Sequence, residues 1–402
     1  MPRFLILGAF LSFMVNIGFS RFSYGVMLPA LRAEFPASYA AFGLVNALNL
    51  AGYLVGTLSA PLFVRSERTR LLTVFLATCL VGAGMIGSAF VHDVTALAVW
   101  RTEIGLASGI AIVLTTVLTF DRVAPAVRGR ASAAMWAGLA FGLAAAGPTQ
   151  PFTLGAHPPF SWRALWIVMG VITPLVALLF AAAVRRGAPV PVPAPAAGSS
   201  GNAFAWSDLV APRRFLFLNL SYGAFGAAYI AYATFAVALF RAHGLPSTSV
   251  GLAWGLVGIA GTIATFAIGP LLDGARARWS LGGTLALGGI GSALALLPSL
   301  GGTLTSAIVY GAGTMATPAI FTALIRRRTD ARSYPLAYSA ITGMLCTGQF
   351  IGPLLAGPLV DVYGLGAAAV FGTFAYALGT LAAFADAALA AEPAPARAAR
   401  AA

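Results

Sequence analysis

The chain has 402 residues, 59% of them hydrophobic and only 9% charged, with a mean hydropathy of +0.88. A soluble domain is typically about a quarter charged, so a water-soluble enzyme is excluded and a polytopic helical membrane protein is indicated. The formal charge is +13 and every basic side chain is arginine, because the sequence contains no lysine; these arginines lie in short segments between apolar runs, which makes the excess a topology signal and not a nucleic-acid footprint.

Twelve apolar spans are predicted along the chain, at about 4–31, 40–64, 71–91, 95–119, 131–154, 163–184, 215–240, 248–272, 281–299, 303–325, 335–360 and 365–388, each close to the length a helix needs to cross a bilayer. The first follows Arg3 directly and is too long for a signal-peptide core, so it reads as a retained span. Between spans six and seven, Arg185-Arg186 opens a Pro/Ala/Gly/Ser tract that cannot build a core and reads as a linker. Phe204, Trp206 and Leu209, ahead of Arg213-Arg214, suggest a short interfacial helix before span seven. The organisation is therefore an N-terminal six-helix bundle (1–184), a cytoplasmic linker (185–214), a C-terminal six-helix bundle (215–390) and a cytoplasmic tail (391–402). With the N-terminus inside, the outer connections hold only Arg32, Arg163 and Arg241, Arg21 and Arg101 fall within spans, and every other arginine is cytoplasmic. An even number of spans with both termini inside satisfies the positive-inside rule.

The halves repeat. Ala60-Pro61-Leu62 closes span two and Gly269-Pro270-Leu271 closes span eight; Gly147-Pro148 in span five matches Gly352-Pro353 in span eleven. The offsets, 209 and 205 residues, are nearly constant. Together with the six-plus-six spans they argue for two pseudo-symmetric halves related by an axis along the membrane normal, an all-α membrane fold.

At these residues the sequence resembles the major facilitator superfamily over nearly its whole length. The family's G-x-L-x-D-R-x-G-R-R loop motif after span two is altered here to Ala60-Pro-Leu-Phe-Val64-Arg65-Ser-Glu67-Arg68; the copy after span eight keeps Gly269 and Asp273. The resemblance implies that this motif, with Arg65, Arg68, Gly269 and Asp273, gates the cytoplasmic side. The span-four R-x-x-x-G motif is present as Arg101-Thr-Glu-Ile-Gly105, while the span-five antiporter motif is only partial, so antiport is not carried over. A narrower resemblance, to the YbfB/YjiJ-type bacterial branch, rests on Gly18-Phe-Ser-Arg-Phe-Ser-Tyr24, on Tyr222-Gly-Ala-Phe-Gly-Ala-Ala-Tyr229 with Thr234, and on Gly348-Gln349-Phe-Ile-Gly352-Pro353. It implies a transporter fold without naming a molecule.

The chemistry sits in the few polar residues inside spans. An arginine within a bilayer costs at least ~2.5–3.5 kcal/mol, so Arg21 and Arg101 must face a cavity, a partner or a ligand. The resemblance puts spans one, four, seven and ten around a central cavity, and counting residues from the outer span ends sets the two arginines within about 6 Å of the same depth. Two guanidiniums at one level suit a carboxylate or phosphate. Tyr24, Asn49, Tyr229 and Gln349 are the further substrate-binding candidates, although a lone polar residue in a membrane helix is as readily interhelical glue. Glu103, the one acid deep in a span, is either a helix-pairing group or the proton-coupling site. Gly142, Gly147, Gly348 and Gly352 allow close helix packing, and Pro148 and Pro353 are expected to kink spans five and eleven.

Cys79 and Cys346 each lie in an apolar span as packing residues, and His92, His157 and His243 are scattered near outer connections. No catalytic cluster, metal set or phosphate-binding loop is present, so no enzyme activity, metal or cofactor is expected. The expected function is secondary active transport of a small organic solute, favoured as an organic anion, by alternating access, with protons the candidate coupling ion through Glu103. Export of neutral or amphipathic compounds is the alternative, and a non-transporting membrane sensor a distant one. The expected partners are a small-molecule substrate and the lipid bilayer, with no nucleic acid. The expected setting is a monomer in the bacterial inner membrane.

Overall fold

The computed structural model describes residues 2–63, 66–124, 128–149, 161–189, 205–211, 213–272, 277–329 and 333–389. The expectations attached to Arg65, Asp273, most of the linker and the 391–402 tail lie outside them.

The described residues form twelve helical spans: α1 (Arg3–Glu34), α2 (Tyr39–Phe63), α3 (Glu67–Ser88), α4 (Val94–Phe120), α5 (Arg128–Ala146), α6 (Trp162–Arg186), α7 (Leu216–Ala242), α8 (Ser247–Leu272), α9 (Ala277–Leu294), α10 (Leu300–Arg328), α11 (Tyr334–Tyr363) and α12 (Gly366–Leu389). Eleven are long and apolar enough to cross a membrane; α9, at 18 residues, is the shorter twelfth and packs against α10 and α12. Helix starts are fixed locally. The side chains of Ser38, Ser66, Asp93, Ser161 and Ser299 each accept from a backbone N–H three residues on, filling donors that a helix N-terminus leaves open.

Boundaries differ from the sequence expectation mainly at turns. The α9–α10 connection comes earlier than expected, because Pro298 and the Ser299 cap start α10 at Leu300. Pro148 ends the α-helix of span five, which tightens to a 3-10 turn at Gly147–Thr149. Pro353, by contrast, sits inside an unbroken α11. Trp206–Val210 does form a short helical turn, with Trp206 and Val210 exposed and Arg214 paired to Asp208 at 3.0 Å. That guanidinium holds the Asp208 carboxyl below the usual range.

α1–α6 and α7–α12 form two six-helix bundles. They join along α2 with α11, α5 with α8, and α1 with α7. The joining contacts run from mid-membrane to the face away from the termini, here called the far face. At the termini-bearing face the pairs among the described residues lie within each half. Arg70 meets Asp121 at 2.5 Å and Arg122 pairs with Glu67 in the first half. In the second, Arg328 grips the buried Asp386 with two bonds of 2.8 and 2.6 Å and donates to the Arg214 carbonyl at 2.8 Å. The described residues are thus joined across the halves on the far face.

Candidate functional site

The middle of α1, Met14–Phe22, is wound as a π-helix, and all nine residues are buried. π turns are uncommon and collect at functional sites. Here the wide turn is held from several sides: Asn16 donates to the Ser12 carbonyl at 2.9 Å and to Thr78 of α3 at 3.3 Å, and the Ser20 hydroxyl donates to the Asn16 carbonyl at 2.6 Å. Gly18 lets α5 approach, since a Cβ there would lie 2.7 Å from the Cα of Gly142. Arg21 leaves this segment 8% exposed. Its guanidinium lies 4.2 Å over the ring of Tyr53 of α2 and beside Tyr229 of α7 and Cys346 of α11. No carboxylate pairs with it among the described residues.

Arg101 is close to Arg21, as the depth argument expects. It is wholly buried, stacks 4.9 Å from the centre of the Tyr24 ring and donates through Nη1 to the Ser20 carbonyl at 2.5 Å. Its Nε and Nη2 are buried without a hydrogen-bond partner. Arg101 thus braces the π segment that presents Arg21, and of the two guanidiniums only Arg21 keeps some exposure.

Two further candidates have their polar atoms directed elsewhere. The Tyr24 hydroxyl donates to the Phe42 carbonyl of α2 at 2.7 Å, and the Asn49 amide donates to the Arg101 carbonyl at 2.6 Å. Both bonds tie neighbouring helices together, and both residues are buried. Asn46, on the same face of α2, crosses between the halves to Thr234 of α7 at 2.7 Å. Tyr229 and Gln349 do come together with Arg21: the Gln349 amide donates to the Tyr229 hydroxyl at 2.6 Å, and the Gln349 carbonyl oxygen is buried and unpartnered. Tyr310 holds the Tyr229 backbone carbonyl at 2.7 Å, and Phe225 stacks on the Tyr229 ring at 4.9 Å. Tyr53, not among the sequence candidates, completes the group. It follows Asn46 and Asn49 at i+7 and i+4, a helical-face pattern that was available in the sequence.

Glu103 turns away from this group, toward α3, where its carboxylate lies against Gly84. Both of its oxygens are buried without a hydrogen-bond partner. Asp361, one residue past the predicted end of span eleven, bridges the halves at the far face. Its two carboxylate oxygens accept from the Tyr39 and Ala40 backbone N–H groups at 2.7 and 2.8 Å, capping α2 from α11. The glycines mark where backbones meet. A Cβ on Gly25 would strike the Ala233 carbonyl, one on Gly43 the Pro353 carbonyl, and one on Gly147 would lie 2.7 Å from the Gly255 nitrogen, all across the interface. Within the halves, Gly142 meets Gly18, Gly348 meets Gly223 and Gly352 meets Ala227. Of the loop-motif residues, Arg68 is exposed in the first turn of α3 and Gly269 lies near the end of α8.

Two six-helix bundles, joined along paired helices and closed at one face over a buried arginine, define a transporter of the major facilitator type. The chain belongs to the family described as "Uncharacterised MFS-type transporter YbfB", which matches residues 13–387. Among solved structures it is similar to a bacterial homolog of the human lysosomal transporter Spinster in an inward-facing, unoccupied conformation (TM-score 0.76, 15% identity, 98% of this chain and 99% of that one). The same homolog in an inward-facing, occupied conformation gives a TM-score of 0.74 at 17% identity, again over 98% and 99% of the two chains. The nucleoside transporter NupG gives 0.73 at 13% identity over 96% and 99%. These likenesses concern the fold. A comparison with curated protein sequences returns no match.

Proposed function

We propose that this transporter moves a small organic anion across the bacterial inner membrane by alternating access, with the termini-bearing face cytoplasmic. The observation that carries the reading is Arg21: a mid-membrane guanidinium at the junction of the halves, resting on Tyr53 and lacking a carboxylate partner among the described residues. An uncompensated cation at that depth is costly, and an anionic substrate supplies the missing charge in a bidentate geometry that arginine favours. Arg21→Ala is expected to weaken binding by well over tenfold with expression near normal; unchanged affinity, or loss of the folded protein, counts against the reading. A thermal-shift screen of organic acids against purified protein finds the ligand, because a ligand that binds the folded state stabilises it.

The aromatic layer beside the arginine, with Phe225 on Tyr229 and Tyr222 on Phe321 at 3.7 Å, favours a second reading in which the cargo is amphipathic and exported. Neutral amphipathic compounds in the same screen separate the two. Glu103 is the group we assign to proton coupling, on its unpartnered oxygens. If Glu103→Gln leaves the pH dependence of transport in proteoliposomes intact, that assignment is wrong.

A further inference from the structure

The group around Arg21 has a hydrogen-bonding pattern that is more specific than positive charge. Tyr229 and Gln349 are 7% and 3% exposed, and both come from the second half, while Arg21 and Tyr53 come from the first. The Gln349 amide nitrogen donates to the Tyr229 oxygen at 2.6 Å, so that bond uses a lone pair of the hydroxyl and leaves its proton free. Arg21, the charged neighbour of Tyr229, carries only donors and cannot accept that proton. Among the described residues no hydrogen bond takes up that proton. Gln349 Oε1, in turn, is a buried acceptor with no donor. The constellation therefore offers two kinds of donor, the Arg21 guanidinium and the Tyr229 O–H, beside one acceptor, Gln349 Oε1. Buried polar groups are nearly always satisfied, and an orphan among them calls for an explanation.

A ligand that completes this pattern carries an anionic oxygen pair and, on the adjoining carbon, one hydrogen-bond donor. An amino acid would meet the second requirement with an ammonium group, but that would bring another cation to a site already holding Arg21 with Arg101 behind it. The one deep carboxylate, Glu103, faces α3 and cannot offset it. A hydroxyl meets the requirement without charge.

We propose that the substrate is a 2-hydroxycarboxylate, its carboxylate held by Arg21 and the Tyr229 hydroxyl and its own hydroxyl donating to Gln349 Oε1. This rests on the organic-anion reading above and narrows it. Because the acid is gripped by residues of both halves, the bound anion also bridges the two bundles.

The test uses full-length protein in nanodiscs and matched acids that differ only at the hydroxyl: lactate against propionate, 2-hydroxy-4-methylpentanoate against 4-methylpentanoate, and 3-phenyllactate against 3-phenylpropionate, with affinities read by calorimetry. A site that hydrogen-bonds a ligand hydroxyl rejects the analogue lacking it, because its own buried group is then left unpaired. The hydroxylated member of at least one pair is expected to bind about tenfold tighter or more, and Gln349→Met is expected to bring that ratio close to one. Equal affinities within every pair, with binding still dependent on Arg21, overturn the hydroxyacid inference and leave the anion reading standing. Absence of binding by all six acids overturns the hydroxyacid inference, and binding that survives Arg21→Ala overturns both. The wild-type ratio decides the matter even where a Gln349 variant does not fold.

Discussion

Arg101 illustrates how a charged residue in a membrane can serve another one. It donates to the carbonyl of Ser20, the residue next to Arg21, and lies 4.9 Å from the centre of the Tyr24 ring, whose hydroxyl donates in turn to the Phe42 carbonyl. A lysine keeps the charge but loses the planar fork and the stacking. Arg101→Lys is therefore expected to cost about 1–3 kcal/mol of stability and to weaken substrate affinity roughly tenfold, the factor that about 1.4 kcal/mol represents, by letting the π segment relax. Thermal melts and calorimetric titration of the same preparation check this, and lowered stability with unchanged affinity would make Arg101 a purely structural residue. Its role was half legible in the sequence. Residue counting put it at the depth of Arg21, but the direction in which a side chain leaves a helix depends on the neighbour it meets, and Ser20 is 81 positions away. Glu103 repeats the lesson: its two-residue offset from Arg101 puts the two on different sides of α4, whereas only packing against Gly84 says what it faces.

At the scale of elements, the α2–α11 pair carries the closure of the far face. Asp361 presents both oxygens to the first N–H groups of α2, where the helix dipole favours a negative charge. Gly357 and Gly43 allow the backbones to approach closely enough for the cap to form. The cap joins two halves that must separate when this face opens, so it stabilises one state over the other. Asp361→Ala is expected to shift the population toward an open far face by about 0.5–2 kcal/mol, the usual worth of a helix cap. Spin labels at Ala33→Cys and Tyr363→Cys, in a background without Cys79 and Cys346, would report this as a longer interhelical distance. Identical distance distributions would reject the latch. In sequence Asp361 was merely an acid just beyond an apolar run, because nothing local ties position 361 to positions 39 and 40.

For the whole molecule, the distribution of close approaches separates rigid parts from moving ones. Gly18 with Gly142, Gly348 with Gly223 and Gly352 with Ala227 lie inside a half; Gly25 with Ala233, Gly43 with Pro353 and Gly147 with Gly255 lie between halves. If the bundles rock as units, side chains added at the first set strain every state, whereas those at the second set strain only this one. Gly25→Val is expected to disfavour far-face closure and abolish proteoliposome transport while leaving the protein folded. Gly142→Val is expected to lower thermal stability in either state. Comparable melting losses for both variants would contradict the rigid-half picture.

The membrane class, twelve spans and two repeated halves followed from the sequence because each depends on local quantities: twenty-residue apolar runs, arginines in short connections, and motifs recurring at a fixed offset. The same local reading picked Arg21, Tyr229 and Gln349 as candidates, and the structure places these three together. It could not tell that the Tyr24 hydroxyl and the Asn49 amide nitrogen would bond to neighbouring helices, that Arg101 would brace the segment carrying Arg21, or that Tyr53 would lie beneath it. Those outcomes depend on how each helix is rotated and what packs across from it, on contacts between residues up to 322 positions apart. Helical periodicity defines faces, and only the assembled bundle decides which face meets which.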